Sequence, residues 1–119
     1  MKENVVKDKS YAFALRIVNL CRYLSGVQNE YVLSKQVLRS GTSIGALIRE
    51  AEHGQSKADF ISKMNIALKE ANETEYWLSL LKDSGYIDEK AFISIYPECK
   101  ELIKLLISIV KTSKLAQKK

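Results

Sequence analysis

The 119-residue sequence has one histidine, one proline, one tryptophan, two cysteines and five glycines. A single histidine leaves classical zinc sites and most histidine-based catalytic arrangements short of residues. Two cysteines make no disulfide framework, and none is needed, because a chain of this length buries roughly two thirds of its unfolded surface in its own core. Long apolar runs are also missing: none approaches the ~18 residues that a membrane-spanning helix requires. Residues Met1 to Ser10 mix Lys2, Glu3, Lys7, Asp8 and Lys9 without an apolar stretch, so no secretory signal is visible and a cytoplasmic address is expected. In that reducing setting Cys21 and Cys99 are expected as free thiols.

What is present describes one soluble domain over residues 1–119, with short flexible ends at about 1–7 and 115–119. Hydrophobic residues make up 46% and charged residues 28%. The formal charge is +5, a modest excess that favours polyanions. Its distribution says more. Residues 1–49 hold eight basic and three acidic side chains, residues 50–99 five and ten, and residues 100–119 six and one. The excess therefore sits at the two ends of the chain.

Glycine, proline and capping signals cut the sequence into four segments with apolar residues at alternating steps of three and four, which predicts four helices. The first, about 10–24, has the inner line Ala14, Ile17, Cys21, Leu24, and Asn29 is the expected N-cap of the next. The second, about 30–53, lines up Leu33, Val37, Ser40, Ile44, Leu47 and Ala51, and Gly54 ends it in the C′ position. Ser56 to Asp59 has the form of a capping box for the third helix, about 57–83. That helix carries the cleanest seam, Phe60, Met64, Ala67, Ala71, Thr74, Leu78 and Leu81. Asp88 caps the fourth, with Phe92, Ile95, Cys99, Leu102, Leu106, Ile109 and Ser113 in the same rhythm. Short turns and a 3.5-residue repeat predict an all-α, antiparallel up-and-down four-helix bundle with left-handed crossing. Pro97 is expected to kink the fourth helix or to start it near Tyr96. Gly41 and Gly45 lie inside the second helix, where each is worse than alanine by roughly 1 kcal/mol. Close approach of the third helix at Ala67 and Ala71 would explain them.

No catalytic constellation emerges. His53 beside Glu50 and Glu52 matches no metal-binding spacing and falls at a helix end, where an imidazolium is favoured by the helix dipole. Cys21 and Cys99 lie on inner lines, where cysteine behaves as a small hydrophobe. Glu70, Glu73 and Glu75 lack the Glu-x-x-His elements of a di-metal bundle, and read as a solvated or intersubunit salt-bridging face. A non-enzyme without metal or cofactor is the expectation.

The basic residues are more informative. Lys100, Lys104, Lys111 and Lys114 fall within roughly an 80° arc of the fourth helix, opposite its apolar line. Lys118 would extend the arc. Lys9, Arg16 and Tyr23, seven apart, form an outward line on the first helix. The two helices are neighbours in such a bundle, so the stripes are expected to merge into one face with Arg22, Lys35 and Arg39 nearby, a surface for RNA or DNA phosphates. Ordinary solvation of an outer helix face is the competing account. Trp77, Tyr76 and Ile107, apolar and off the inner lines, support a second reading as a protein–protein assembly module.

The segment Gln36-Val37-Leu38-Arg39-Ser40-Gly41-Thr42-Ser43-Ile44-Gly45-Ala46, followed by Ile48-Arg49-Glu50-Ala51, resembles the signature of a bacterial family. So do Asp59-Phe60, Lys63, Ala67-Leu68-Lys69-Glu70-Ala71, Glu73-Thr74 and Tyr76-Trp77-Leu78, and later Ile103-Lys104-Leu105-Leu106 with Lys111-Thr112-Ser113. The family is that of the 23S rRNA intervening-sequence proteins, small four-helix bundles first noticed as reading frames within large-subunit rRNA genes. Two positions depart from its pattern: Leu47 stands where members commonly have asparagine, and Pro97 interrupts a helix usually written without it. The resemblance implies a homo-oligomeric ring, pentameric among relatives, and a nucleic-acid connection. One related branch is the accessory protein of diversity-generating retroelements, which implies a reverse transcriptase as a possible protein partner. The combined expectation is a non-catalytic, oligomeric accessory protein that contacts RNA or DNA, and no membrane.

Overall fold

The computed structural model describes residues 2–117, and in it the apolar rhythm becomes four helices: α1 (Lys2–Gly26), α2 (Val32–Glu52), α3 (Lys57–Asp83) and α4 (Glu89–Gln117). Each packs on the next, α4 closes the ring against α1, and the diagonal pairs stay apart. That is the up-and-down four-helix bundle, 51 Å long and about 20 Å across.

The inner lines hold at the centre of each helix and shift at the ends. In α3, Met64, Ala67, Ala71, Thr74, Leu78 and Leu81 are all buried, while Ile61 takes the inner place expected for Phe60, which is only half-buried. In α4, Ile95, Cys99, Leu102, Leu106, Ile109 and Ser113 are buried and Phe92 is partly exposed. In α2, Ser34 and Ile48 turn inward where Leu33 and Leu47 were expected, and those leucines cover the core's edge. In α1, Phe13 replaces Ala14 on the inner line. A straight helix drifts ~20° per heptad against a 3.5-residue repeat, so neighbouring apolar positions exchange roles toward the ends.

Helix α1 starts well ahead of Ser10, because Val6 and Ser10 carry the seam one heptad further and are fully buried. Residues 2–7 and 115–117, expected as flexible ends, continue α1 and α4. Met1, Lys118 and Lys119 lie outside the described residues.

The caps also differ in detail. Asn29 is a turn residue at φ 54°, and the start of α2 is capped by Glu30, whose carboxylate accepts from the N–H groups of Val32, Leu33 and Ser34 at 2.8–3.1 Å. A carboxylate there satisfies orphan donors and complements the positive end of the helix dipole. Ser56 caps α3 by accepting from Asp59 N–H at 3.0 Å, and Asp59 accepts in return from Gln55 N–H. Asp88 accepts from Ala91 N–H at 2.8 Å, as the sequence predicts. Gly54 follows the end of α2 without a left-handed φ, and a Cβ there would lie 2.9 Å from Asp59 Oδ2 and 3.1 Å from Ala51 O, so the tight α2–α3 turn favours a residue without one. Gly85, at φ 86°, is the left-handed residue that ends α3.

Pro97 neither starts α4 nor breaks it; the helix runs through from Glu89 to Gln117. Pro97 and Ile93, whose carbonyl loses its i+4 donor, are both exposed, so the missing bond falls on the solvent side of the helix and not in the core. Gly41 and Gly45 admit α1, not α3. A Cβ on Gly41 would sit 2.8 Å from Ile17 Cγ1, and one on Gly45 would sit 3.3 Å from Ser10 Oγ. The α2–α3 seam is instead marked by a buried hydrogen bond from Thr74 Oγ1 to Ser40 Oγ, 2.9 Å.

Candidate functional site

The nine basic residues expected to share one face are divided by the fold among several surfaces. Lys9 and Arg16 do face α4, but α4 answers with acids at the same seam: Lys9 pairs with Glu101 at 3.2 Å, and Arg16 pairs with Glu98. Arg16 also donates to Ser94 O at 2.9 Å and Ser94 Oγ at 2.7 Å. The expected merger of two basic stripes across α1 and α4 is therefore replaced by a zipper of opposite charges. Glu98 and Glu101, the acidic residues beside Lys100 on α4, were the available signal for it, and the antiparallel packing of α1 on α4 sets Glu101 against Lys9 and Glu98 against Arg16.

Arg39 points the other way, into the α2–α3 seam, where it donates to Glu70 at 3.0 Å and to Glu73. Both carboxylates raise the pKa of its guanidinium. Glu73 also accepts from Trp77 Nε1 at 3.0 Å, and that bond, with the help of Arg39, holds its pKa below the usual carboxylate value. Lys100 lies in the α3–α4 seam, 3.1 Å from Glu75, which accepts from Tyr96 Oη as well. The tyrosine bond foremost, then Lys100, lowers the pKa of Glu75, and the same carboxylate raises that of Tyr96. Glu70, Glu73 and Glu75 are thus engaged within the chain, across both seams of α3, and do not form the solvated face that was one of the two expectations for them.

Five of the nine remain exposed with no hydrogen bond or ion pair among the described residues: Arg22, Lys35, Lys104, Lys111 and Lys114. They form two groups. Arg22 and Lys35 lie on α1 and α2 at the end of the bundle that holds the α1–α2 turn. Lys104, Lys111 and Lys114 lie on the outer side of α4 toward its C-terminus, and Lys118 is outside the described residues. A rise of 1.5 Å per residue spreads Lys100 to Lys114 over about 21 Å of helix.

Neither cysteine is a reactive thiol. Cys99 Sγ donates to Ala71 O and Cys21 Sγ to Ser34 O, both at 3.4 Å. Burial pushes the Cys99 thiol up to about 12 and raises Cys21 as well. His53 stands at the C-cap of α2. Among the described residues no group of three His, Cys, Asp or Glu side chains is placed to hold a metal ion, and no helix is long and apolar enough to cross a membrane. Trp77 is half-buried with Tyr76 against it edge-on at 5.0 Å; Tyr76 is 60% exposed and Ile107 49%.

No curated protein matches the chain. A crystal structure of a protein of unknown function from the S23 ribosomal protein family of Bacteroides thetaiotaomicron VPI-5482 is similar, with a TM-score of 0.92 and 65% sequence identity, covering 93% of this chain and 99% of that one. Neither that protein nor the matching family is described as an enzyme. The family model for the 23S rRNA-intervening sequence protein matches residues 2–108, which spans all of α1 to α3 and two thirds of α4. On that match and on the similarity in sequence and fold, the chain belongs to the 23S rRNA-intervening sequence protein family.

Proposed function

We propose that this protein is a non-catalytic, cytoplasmic, homo-oligomeric accessory protein that binds RNA or DNA through the phosphate backbone. The observation that carries this reading is the group Lys104, Lys111 and Lys114, exposed on one side of α4 and free of carboxylate partners among the described residues. Lys100, tethered to Glu75 at the edge of the group, extends it by one turn. Lysines on a rigid rod meet phosphates as point charges and read no base edges, so binding is indifferent to sequence. Repetition of the group around a ring, pentameric by resemblance, multiplies a weak patch through effective concentration. Membership of a family named for rRNA intervening sequences makes RNA the first ligand to test.

The test is fluorescence anisotropy with a structured RNA and a DNA duplex of equal length. Binding is expected at low salt, with log K falling by about 0.9 per duplex phosphate contacted for each unit of log salt. Changing Lys104, Lys111 and Lys114 together to Glu should abolish it. No binding at low salt, or binding unchanged in that variant, overturns the reading. The second reading, a protein–protein assembly module, rests on Tyr76 and Ile107, large apolar side chains about half exposed on α3 and α4. If the resemblance to retroelement accessory proteins extends to partners, a reverse transcriptase is the first to test for this reading. Co-purification of protein without nucleic acid, lost in Tyr76→Glu/Ile107→Glu, would favour it.

A further inference from the structure

Helices α1 and α2 carry a second seam on their outer side. Tyr11, Leu15, Val18 and Arg22 follow one another on α1 at steps of four, three and four, the spacing that keeps side chains on one face. Lys35, Leu38, Thr42, Ala46 and Arg49 do the same on α2. A groove of about 270 Å³ runs between them at the Tyr11 end, floored by Ala14, Thr42, Gly45 and Ala46. Tyr11 is 53% exposed, Leu15 52% and Leu38 38%. None of them serves the bundle's core.

Charge decides what fits there. Arg22, Lys35 and Arg49 are exposed and have no carboxylate partner among the described residues; Arg49 instead lies over the Tyr11 ring, 5.2 Å from its centre. Lys7 and Glu52 neutralise each other at one end of the groove. Among the described residues the other carboxylate on this face is Asp8, one turn before Tyr11 in α1. Three cations thus frame an apolar strip with small residues along its floor. An apolar floor gives nothing to a phosphate backbone, and cations opposite cations disfavour a two-fold pairing of this face with itself.

We infer that the outer α1–α2 groove is a docking site for an amphipathic helix of a partner protein, with a leucine-type stripe against Tyr11, Leu15 and Leu38 and carboxylates against Arg22, Lys35 and Arg49. Lys35 to Arg49 spans about 21 Å, the length of a 14-residue helix. The site faces away from the α3–α4 side, so it leaves the lysines of α4 accessible. The protein would then join a helical protein segment on one side to nucleic acid on the other.

Fluorescein-labelled 14-residue peptides with one leucine stripe, differing only in whether Glu or Lys flanks it, test this by anisotropy and by ¹⁵N amide shifts. The Glu-flanked peptide is expected to bind, to shift amides of residues 11–18 and 38–46, and to weaken about tenfold or more in Leu15→Glu/Leu38→Glu. Reversing the frame with Arg22→Glu/Lys35→Glu/Arg49→Glu should transfer preference to the Lys-flanked peptide. These residues are exposed, and unchanged circular dichroism verifies the fold. The Lys104, Lys111 and Lys114 variant, impaired only toward nucleic acid, should bind the peptide normally. Equal binding of both peptides, shifts confined to α4, no binding, pelleting with vesicles of phosphatidylserine and phosphatidylcholine that depends on Leu15 and Leu38, or a multimer that Leu38→Glu dissolves each overturns the assignment.

Discussion

Single side chains in this bundle act by where they meet a neighbour, and Gly41 shows it best. An added Cβ would lie within 2.9 Å of two branch carbons of Ile17, which sit too close to their own backbone to swing aside. Gly41→Ala gains helix propensity but overpacks the α1–α2 contact, and a net loss of about 1–2 kcal/mol is expected in urea unfolding. Gly45→Ala, with 3.3 Å to Ser10 Oγ, should stay within about 1 kcal/mol of the wild type. The thiols give a second expectation. Because burial raises both, Ellman's reagent at pH 8 should label neither until guanidinium unfolds the chain. The folded Cys99 pKa lies above its unfolded value, so its contribution to stability is complete below about pH 8.5 and fades as pH climbs toward 12. The burial of both cysteines was legible from their place in a heptad. The role of Gly41 was not, because a glycine in a sequence names a close approach without naming the partner.

Whole helices respond to their ends and seams. In α4 the proline is accommodated on the exposed side, at the cost of one backbone hydrogen bond, so Pro97→Ala restores a donor to an otherwise continuous helix. It should raise stability by about 1–3 kcal/mol, read as a higher melting temperature. In α2, Glu30 serves three N–H groups, and Glu30→Ala should cost about 1–2 kcal/mol, more than Asn29→Ala. The carboxylates of α3 give a pH signature. Glu73 and Glu75 have folded pKa values below the unfolded ones, so their contribution is complete above about pH 5 and is lost as pH falls through the folded values. Thermal melts should be flat from pH 5 to 8 and fall in acid, and Glu75→Gln should blunt that fall. The number of helices and their middles were legible in the sequence, since a heptad over four segments admits one architecture. Their ends were less so. Val5 and Val6 stand side by side among the charges of the first ten residues, and only the packing shows that Val6 continues the seam while Val5 is exposed.

For the molecule as a whole, the distribution of charge is the decisive property. Six cations are matched by seven carboxylates across all four seams, which leaves among the described residues Lys90, Lys104, Lys111 and Lys114 without an ion pair on α4, Lys57, Lys69 and Lys82 on α3, and the cationic frame on α1 and α2. If α4 is the nucleic-acid surface, untreated protein should show a raised 260/280 nm absorbance ratio and a mass of several subunits in light scattering. The ratio should fall to that of protein alone at 1 M salt, where the Debye length shrinks to about 3 Å. A mass of one subunit would remove the ring from the reading.

The sequence by itself determined the bundle: its periodicity, its caps and its few breaks leave four helices that can bury their apolar lines only against one another. It also determined that the chain's ends are basic and its middle acidic. Only the tertiary structure decided which of those charges remain available. Pairing depends on which side of a helix faces which neighbour, and a rotation of one residue, 100° on the helix, moves a lysine from a seam to open solvent. Lys9, Arg16 and Arg39 look like Lys104, Lys111 and Lys114 in a sequence, yet the first three are held by carboxylates of adjacent helices and the last three face solvent.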